Sequence, residues 1–100
     1  MLSMARKGDP NLKIKIPSID KALVHCSDYT PSCRLGYIAV IYNLELKILY
    51  YEDQTKALKA AKRIKGYVVR NWVLDEVNGE PILEKFAKKY LSAQLASEVK

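Results

Sequence analysis

Tyr37–Tyr42 (YIAVIY) is an unbroken run of β-branched and aromatic residues, and Leu46–Tyr51 (LKILYY) follows only three residues later. The first run suits a central strand covered on both faces. Asn43-Leu44-Glu45 is the predicted reversal, since Asn43 tolerates a positive φ. Strands joined so tightly must be antiparallel neighbours. Leu46, Ile48 and Tyr50 then share one face, with Glu45, Lys47 and Leu49 on the other. A chain built on this hairpin needs further elements to cover it.

Gln54–Lys65 supplies one. Asp53 or Thr55 can cap a helix here, and Glu52 and Asp53 put negative charge at its positive dipole end. Ala57, Leu58, Ala61 and Ile64 form an apolar stripe, and its alanines predict close approach to the sheet. Gly66 falls where a left-handed residue past the helix end is wanted. Tyr67–Val77 (YVVRNWVLDEV) reads as a long strand, bent near Asn71. Pro81 then opens a last helix with Leu83, Phe86, Ala87, Tyr90 and Leu91 at helical spacing and Glu84, Lys85, Lys88 and Lys89 off that stripe. Ser92–Lys100 reads as a fraying tail.

Upstream, Leu12–Ile16 (LKIKI) alternates with period two and is closed by Pro17, the pattern of a strand with one buried face. Ser18 sits where an N-cap belongs before Ile19, Ala22, Leu23 and Cys26, which predicts a short helix over residues 19–26. A strand over Ala22–Cys26 competes with it. The predicted fold is α+β: an antiparallel sheet of about four strands, with the two earlier helices on one face. The order is the ferredoxin-like β-α-β-β-α-β, with a C-terminal helix added that covers part of the other face or extends a partner contact. Residues 1–11 read as a disordered tail, and 12–97 as a single domain.

One hundred residues is one domain's length, enough to bury roughly 60–70% of the unfolded surface without disulfides or metals. No run approaches the roughly 18 apolar residues of a membrane helix. Met1–Asn11 has a basic pair without an apolar stretch behind it, which argues against a secretory leader and for a cytoplasmic protein. On that reading Cys26 and Cys33 are reduced, partly buried thiols; in a secreted chain the same short, turn-rich loop would suggest a small disulfide, and the sequence leaves the two open.

The charge is unevenly placed. Of seventeen bases, Lys56, Lys59, Lys62, Arg63, Lys65 and Arg70 lie between Gln54 and Leu74, where there is no acid; elsewhere eleven bases and eleven acids cancel. Lys56, Lys59 and Arg63 share one helical stripe, with Lys62 flanking it. Such a stripe matches phosphates along a nucleic-acid backbone, and Tyr67 and Arg70 on the following strand add a stacking ring and a guanidinium. The plainer alternative is solubility, helped by the dipole's preference for cations in the last turn.

Seven tyrosines and Trp72 can form an open aromatic face, suited to single-stranded RNA or to a protein partner. The RNA-recognition motif is disfavoured: LKILYY lacks the Lys/Arg-Gly-Phe signature, and LKIKI carries no ring. His25, Cys26, Asp28 and Cys33 fall short of a zinc set, and adjacent His and Cys side chains diverge too far for a catalytic pair. Asp75, Glu76 and Glu80 show no ordered cation-ligand spacing. The expectation is a non-enzymatic module without cofactor or metal. It binds nucleic acid, RNA favoured, through Lys56, Lys59, Lys62, Arg63, Lys65, Tyr67 and Arg70. The alternative is a protein-interaction or homodimerisation module using the tyrosine-bearing sheet face and the C-terminal helix.

Overall fold

A computed structural model describes residues 7–11, 13–15 and 24–99. Six strands form one antiparallel sheet: β1 (Lys13–Lys15), β2 (Leu35–Ile41), β3 (Leu44–Tyr50), β4 (Tyr67–Val69), β5 (Trp72–Asp75) and β6 (Gln94–Leu95). Helix α1 (Gln54–Ile64) lies between β3 and β4, and helix α2 (Pro81–Tyr90) between β5 and β6. The spatial order of the sheet is β1-β2-β3-β5-β4-β6.

The α+β class is as expected, but the ferredoxin-like order is not found. That order places another strand between the first two strands of the chain, whereas here β1 pairs directly with β2; only the β3-α1-β4 crossover has a strand, β5, between its ends. The expected helix over residues 19–26 falls mostly outside the described residues; of its end, Cys26–Asp28 is a 3-10 turn. The long strand over Tyr67–Val77 is a hairpin. Val69 pairs with Trp72 across Arg70-Asn71, and Arg70 takes a positive φ of 53°. Asn71 holds this reversal in place: its carbonyl accepts from Tyr51 N–H at 2.9 Å and its side-chain amide donates to the Glu52 carbonyl at 3.1 Å.

The β2–β3 reversal includes Asn43 as expected, but its partner is Tyr42. Ile41 pairs with Leu44, and Tyr42 and Asn43 both have positive φ, the geometry of a two-residue hairpin turn. The face assignment for β3 holds for its buried positions. Leu46 and Ile48 pack under α2 with Ala39, Ile41, Tyr67, Leu74, Leu83 and Phe86, while Leu49 packs under α1 with Val68 and Val73. The two long helices therefore cover opposite faces of the sheet.

Both ends of the domain reach further than the sequence suggests. Asp9, in the supposed tail, is buried; its carboxylate oxygens accept from Tyr42 N–H at 2.9 Å and Asn11 N–H at 3.1 Å. Gly8 lies against Phe86 and Tyr90, so closely that a Cβ there would come within 2.5 Å of the Tyr90 ring. The fraying tail is instead β6 with buried Ala93 and Ala96; Ala96 N–H donates to the Gly66 carbonyl at 3.0 Å.

The cysteines are corrected too. Cys26 and Cys33 form a disulfide, their Cα atoms 4.8 Å apart. The loop between them is short enough to bring the two Cβ atoms together. Further bonds tie this loop to the sheet: Tyr51 O–H donates to the Pro31 carbonyl at 2.6 Å and Tyr29 O–H to Asp75 at 2.7 Å. Both phenols are shifted upward, Tyr51 to about 12 by burial, and Tyr29 by burial and then by the Asp75 carboxylate. Among the described residues no helix is long and apolar enough to cross a membrane.

Candidate nucleic-acid interface

Asp53 sets where α1 begins. One of its oxygens accepts from Thr55 N–H at 2.7 Å and Lys56 N–H at 3.1 Å. These donors favour the ionised form, so its carboxyl lies below the usual range, the Lys56 N–H contributing most and the Lys56 charge least. The buried side of the helix is Ala57, Ala60 and Ala61, whose small side chains let its backbone come close to Leu49, Val68 and Val73. Leu58 and Ile64 flank this buried side, and the charged side chains are left on the outward one.

Lys56, Lys59, Lys62, Arg63 and Lys65 are accordingly all exposed. They span about 13 Å of helix axis at 1.5 Å per residue. None of the described carboxylates forms an ion pair with Lys59, Lys62, Arg63 or Lys65; the ion pairs Arg34–Glu52 (3.0 Å) and Lys47–Glu76 (3.3 Å) lie elsewhere. Lys65 takes the left-handed conformation (φ 55°, ψ 40°) that the sequence assigns to Gly66. Lys65 N–H bonds the Lys62 carbonyl and Gly66 N–H bonds that of Ala61, which completes the helix end one residue early. Gly66 serves close packing instead: a Cβ there would sit 2.7 Å from the Leu74 carbonyl oxygen.

Two expected members of the site are placed apart from it. Tyr67 is buried on the α2 side of the sheet, where its O–H donates to Glu84 at 2.8 Å and Lys88 Nζ lies 5.8 Å from its ring. Burial first, and the Glu84 carboxylate second, push its phenol up to about 12. It offers no stacking surface. Arg70 is exposed at the β4–β5 turn, beside the start of α1. There it borders an open groove of about 380 Å³ with Gln54, Thr55, Leu58, Val69, Gln94 and Val99. Lys62, Arg63 and Lys65 crowd the other end of the helix.

The open tyrosine face is only partly present. Tyr51 is buried, while Tyr37, Tyr50 and Trp72 remain half-buried in one cluster, with ring centroids 6.1 and 4.9 Å from Trp72. Exposed His25 stands beside cysteines whose sulfurs are bonded to each other. Asp75 and Glu76 are engaged by Tyr29 and Lys47, and no group of three metal-ligating side chains occurs among the described residues.

One surface was read only as part of the C-terminal helix, without its groove. The sequence assigns Tyr42 to a strand and treats Lys85 and Lys89 as ordinary solvated positions. In the fold they line, with Ile82, Phe86 and Tyr90, a groove of about 270 Å³. The signal was the i, i+3, i+7 spacing of Ile82, Lys85 and Lys89 on one stripe; what placed a tyrosine opposite was tertiary. No protein-family model matches the chain, and neither a curated protein nor a solved structure matches it.

Proposed function

We propose that this domain is a small non-enzymatic module that binds nucleic acid, RNA before DNA, along the outward face of α1. The observation that carries the reading is the set of four exposed cations, Lys56, Lys59, Lys62 and Arg63, on the outward side of an eleven-residue helix, with exposed Lys65 at its C-cap and Ala57, Ala60 and Ala61 buried against the sheet. Lys59, Lys62, Arg63 and Lys65, which form no ion pair with a described carboxylate, are available to phosphates, and their attraction is weakened as salt rises. With Tyr67 buried, binding rests on backbone charge rather than base stacking, which favours weak sequence preference.

A chemical-shift titration with a short single-stranded RNA oligonucleotide, repeated with duplex DNA, tests this. Shifts concentrated on Lys56–Lys65 are expected, larger for RNA. Shifts that leave α1 untouched at low salt would remove the proposal.

A further inference from the structure

Three large apolar side chains among the described residues are exposed: Leu35, Tyr42 and Ile82. Two of them, Tyr42 at 46% and Ile82 at 52%, line the same groove, on the sheet face opposite α1. Buried Phe86 lies between them, its ring edge-on to Tyr42 with centroids 5.7 Å apart. Tyr42 is held there rather than free to fold away. It sits at a turn position of positive φ, its N–H is bound by Asp9 and its O–H donates to the Gly8 carbonyl.

Charge surrounds this apolar floor on one side. Ile82, Lys85 and Lys89 fall on one stripe of α2, so the two exposed ammonium groups stand along the rim beside Phe86. Lys89 Nζ lies 5.3 Å from the Tyr90 ring centroid, so part of its stem runs along the groove wall. Among the described residues no carboxylate lines the groove. Asp9, the acid bonded to Tyr42, is buried with each oxygen already accepting a backbone N–H. Glu84 is on the other flank of α2, bonded to Tyr67.

We infer that the Tyr42–Ile82–Phe86 groove with its Lys85/Lys89 rim is a docking site for a short acidic-hydrophobic protein segment. An aliphatic or aromatic side chain of that segment fills the groove while flanking carboxylates meet the two lysines. An exposed isoleucine in the wall, beside a tyrosine already engaged in a T-shaped contact with Phe86, matches an apolar side chain better than a nucleobase. Apolar contact supplies affinity and the lysines supply orientation and on-rate. The site is independent of the basic face of α1 and of the nucleic-acid reading.

The test uses the whole chain and two fluorescein-labelled peptides, one with leucine and phenylalanine spaced among aspartate and glutamate, the other with those apolar residues replaced by serine. Fluorescence anisotropy should show binding of the first peptide and roughly tenfold or greater weakening for the second. Ile82→Ser and the Lys85→Glu/Lys89→Glu pair should each weaken the first peptide by a similar factor, whereas Lys59→Glu/Lys62→Glu should leave it within about twofold. Ile82, Lys85 and Lys89 are exposed, so an unchanged circular dichroism spectrum and melting temperature should confirm that the variants fold. The inference is overturned by equal binding of both peptides, by no effect of the α2 variants, or by displacement of the peptide by single-stranded RNA through Lys85 and Lys89. A concentration-dependent doubling of mass in sedimentation that Ile82→Ser abolishes would also overturn it, assigning the groove to a second copy of this chain.

Discussion

The Tyr67 hydroxyl donates to Glu84 Oε1 at 2.8 Å, tying the first residue of β4 to the helix on the far side of the sheet from the basic face. The ring's burial first, and this bond second, raise the phenol above its ordinary value of 10.0, up to about 12. Tyr51, also buried, is likewise raised to about 12. A pKa raised by folding contributes stability that is complete below the unfolded value and is lost as pH rises through the folded one. The domain should therefore lose stability between about pH 10 and 12. A phenolate absorbance titration followed alongside circular dichroism should show these rings ionising only as the fold opens. Tyr67→Phe should move the alkaline midpoint to higher pH; an unmoved midpoint would count against this linkage.

Charge reversal on α1 should be read through salt. Each phosphate neutralised on a single strand contributes about 0.7 to the slope of log affinity against log salt. Lys59→Glu/Lys62→Glu/Arg63→Glu should flatten that slope for an RNA oligonucleotide by about 2, with a loss of tenfold or more at low salt. Arg70→Ala, at the other end of the helix, should change it by less than one. Equal slopes for the triple variant and the parent would show that α1 does not touch the strand.

Lys65 occupies a left-handed conformation that costs a side-chain-bearing residue about 1 kcal/mol or more. Lys65→Gly should accordingly raise unfolding stability by about 0.5–1 kcal/mol in urea, while removing one charge from the proposed interface. A destabilised variant would mean that Lys65 makes contacts outweighing its backbone strain.

Asp9 binds two backbone N–H groups from inside the fold. Removing the side chain leaves the Tyr42 and Asn11 N–H groups without this partner, so Asp9→Ala should destabilise by about 1–3 kcal/mol in a urea unfolding curve. A loss below about 0.5 kcal/mol, the scale of surface substitutions, would mean that residues 7–11 do not hold the β2–β3 turn.

The Cys26–Cys33 bond closes a loop of six intervening residues. Loop entropy at this length gives a stabilisation of about 2 kcal/mol. Reduction, or Cys33→Ser, should lower the urea midpoint accordingly. No change would mean that the Tyr51–Pro31 and Tyr29–Asp75 bonds alone hold the loop.

Much of the scaffold could be read from local pattern. The unbroken run Tyr37–Tyr42 and its partner LKILYY announced a hairpin because two β-prone runs separated by three residues with an Asn leave few other arrangements. Alanines at 57 and 61 announced a helix lying close to a sheet, and the bases opposite them were thereby placed in solvent. Pro81 with Leu83, Phe86 and Ala87 marked the last helix. These are features of period and propensity, carried by residues within one or two turns of each other.

What the chain could not show by itself was set by contacts between distant residues. Whether Tyr67–Val77 bends or reverses turned on Asn71 meeting Tyr51 and Glu52, and that reversal determined the strand order. Tyr67 reads as accessible from its strand alone, but the sheet turns its ring to the face under α2. Asp9 and Ala96 looked like tail until each found a backbone partner. The basic face of α1 follows from the sequence, because helical period alone sends its cations outward. The groove between Tyr42 and α2 exists only in the tertiary structure, because packing against Phe86 brings together residues some forty positions apart.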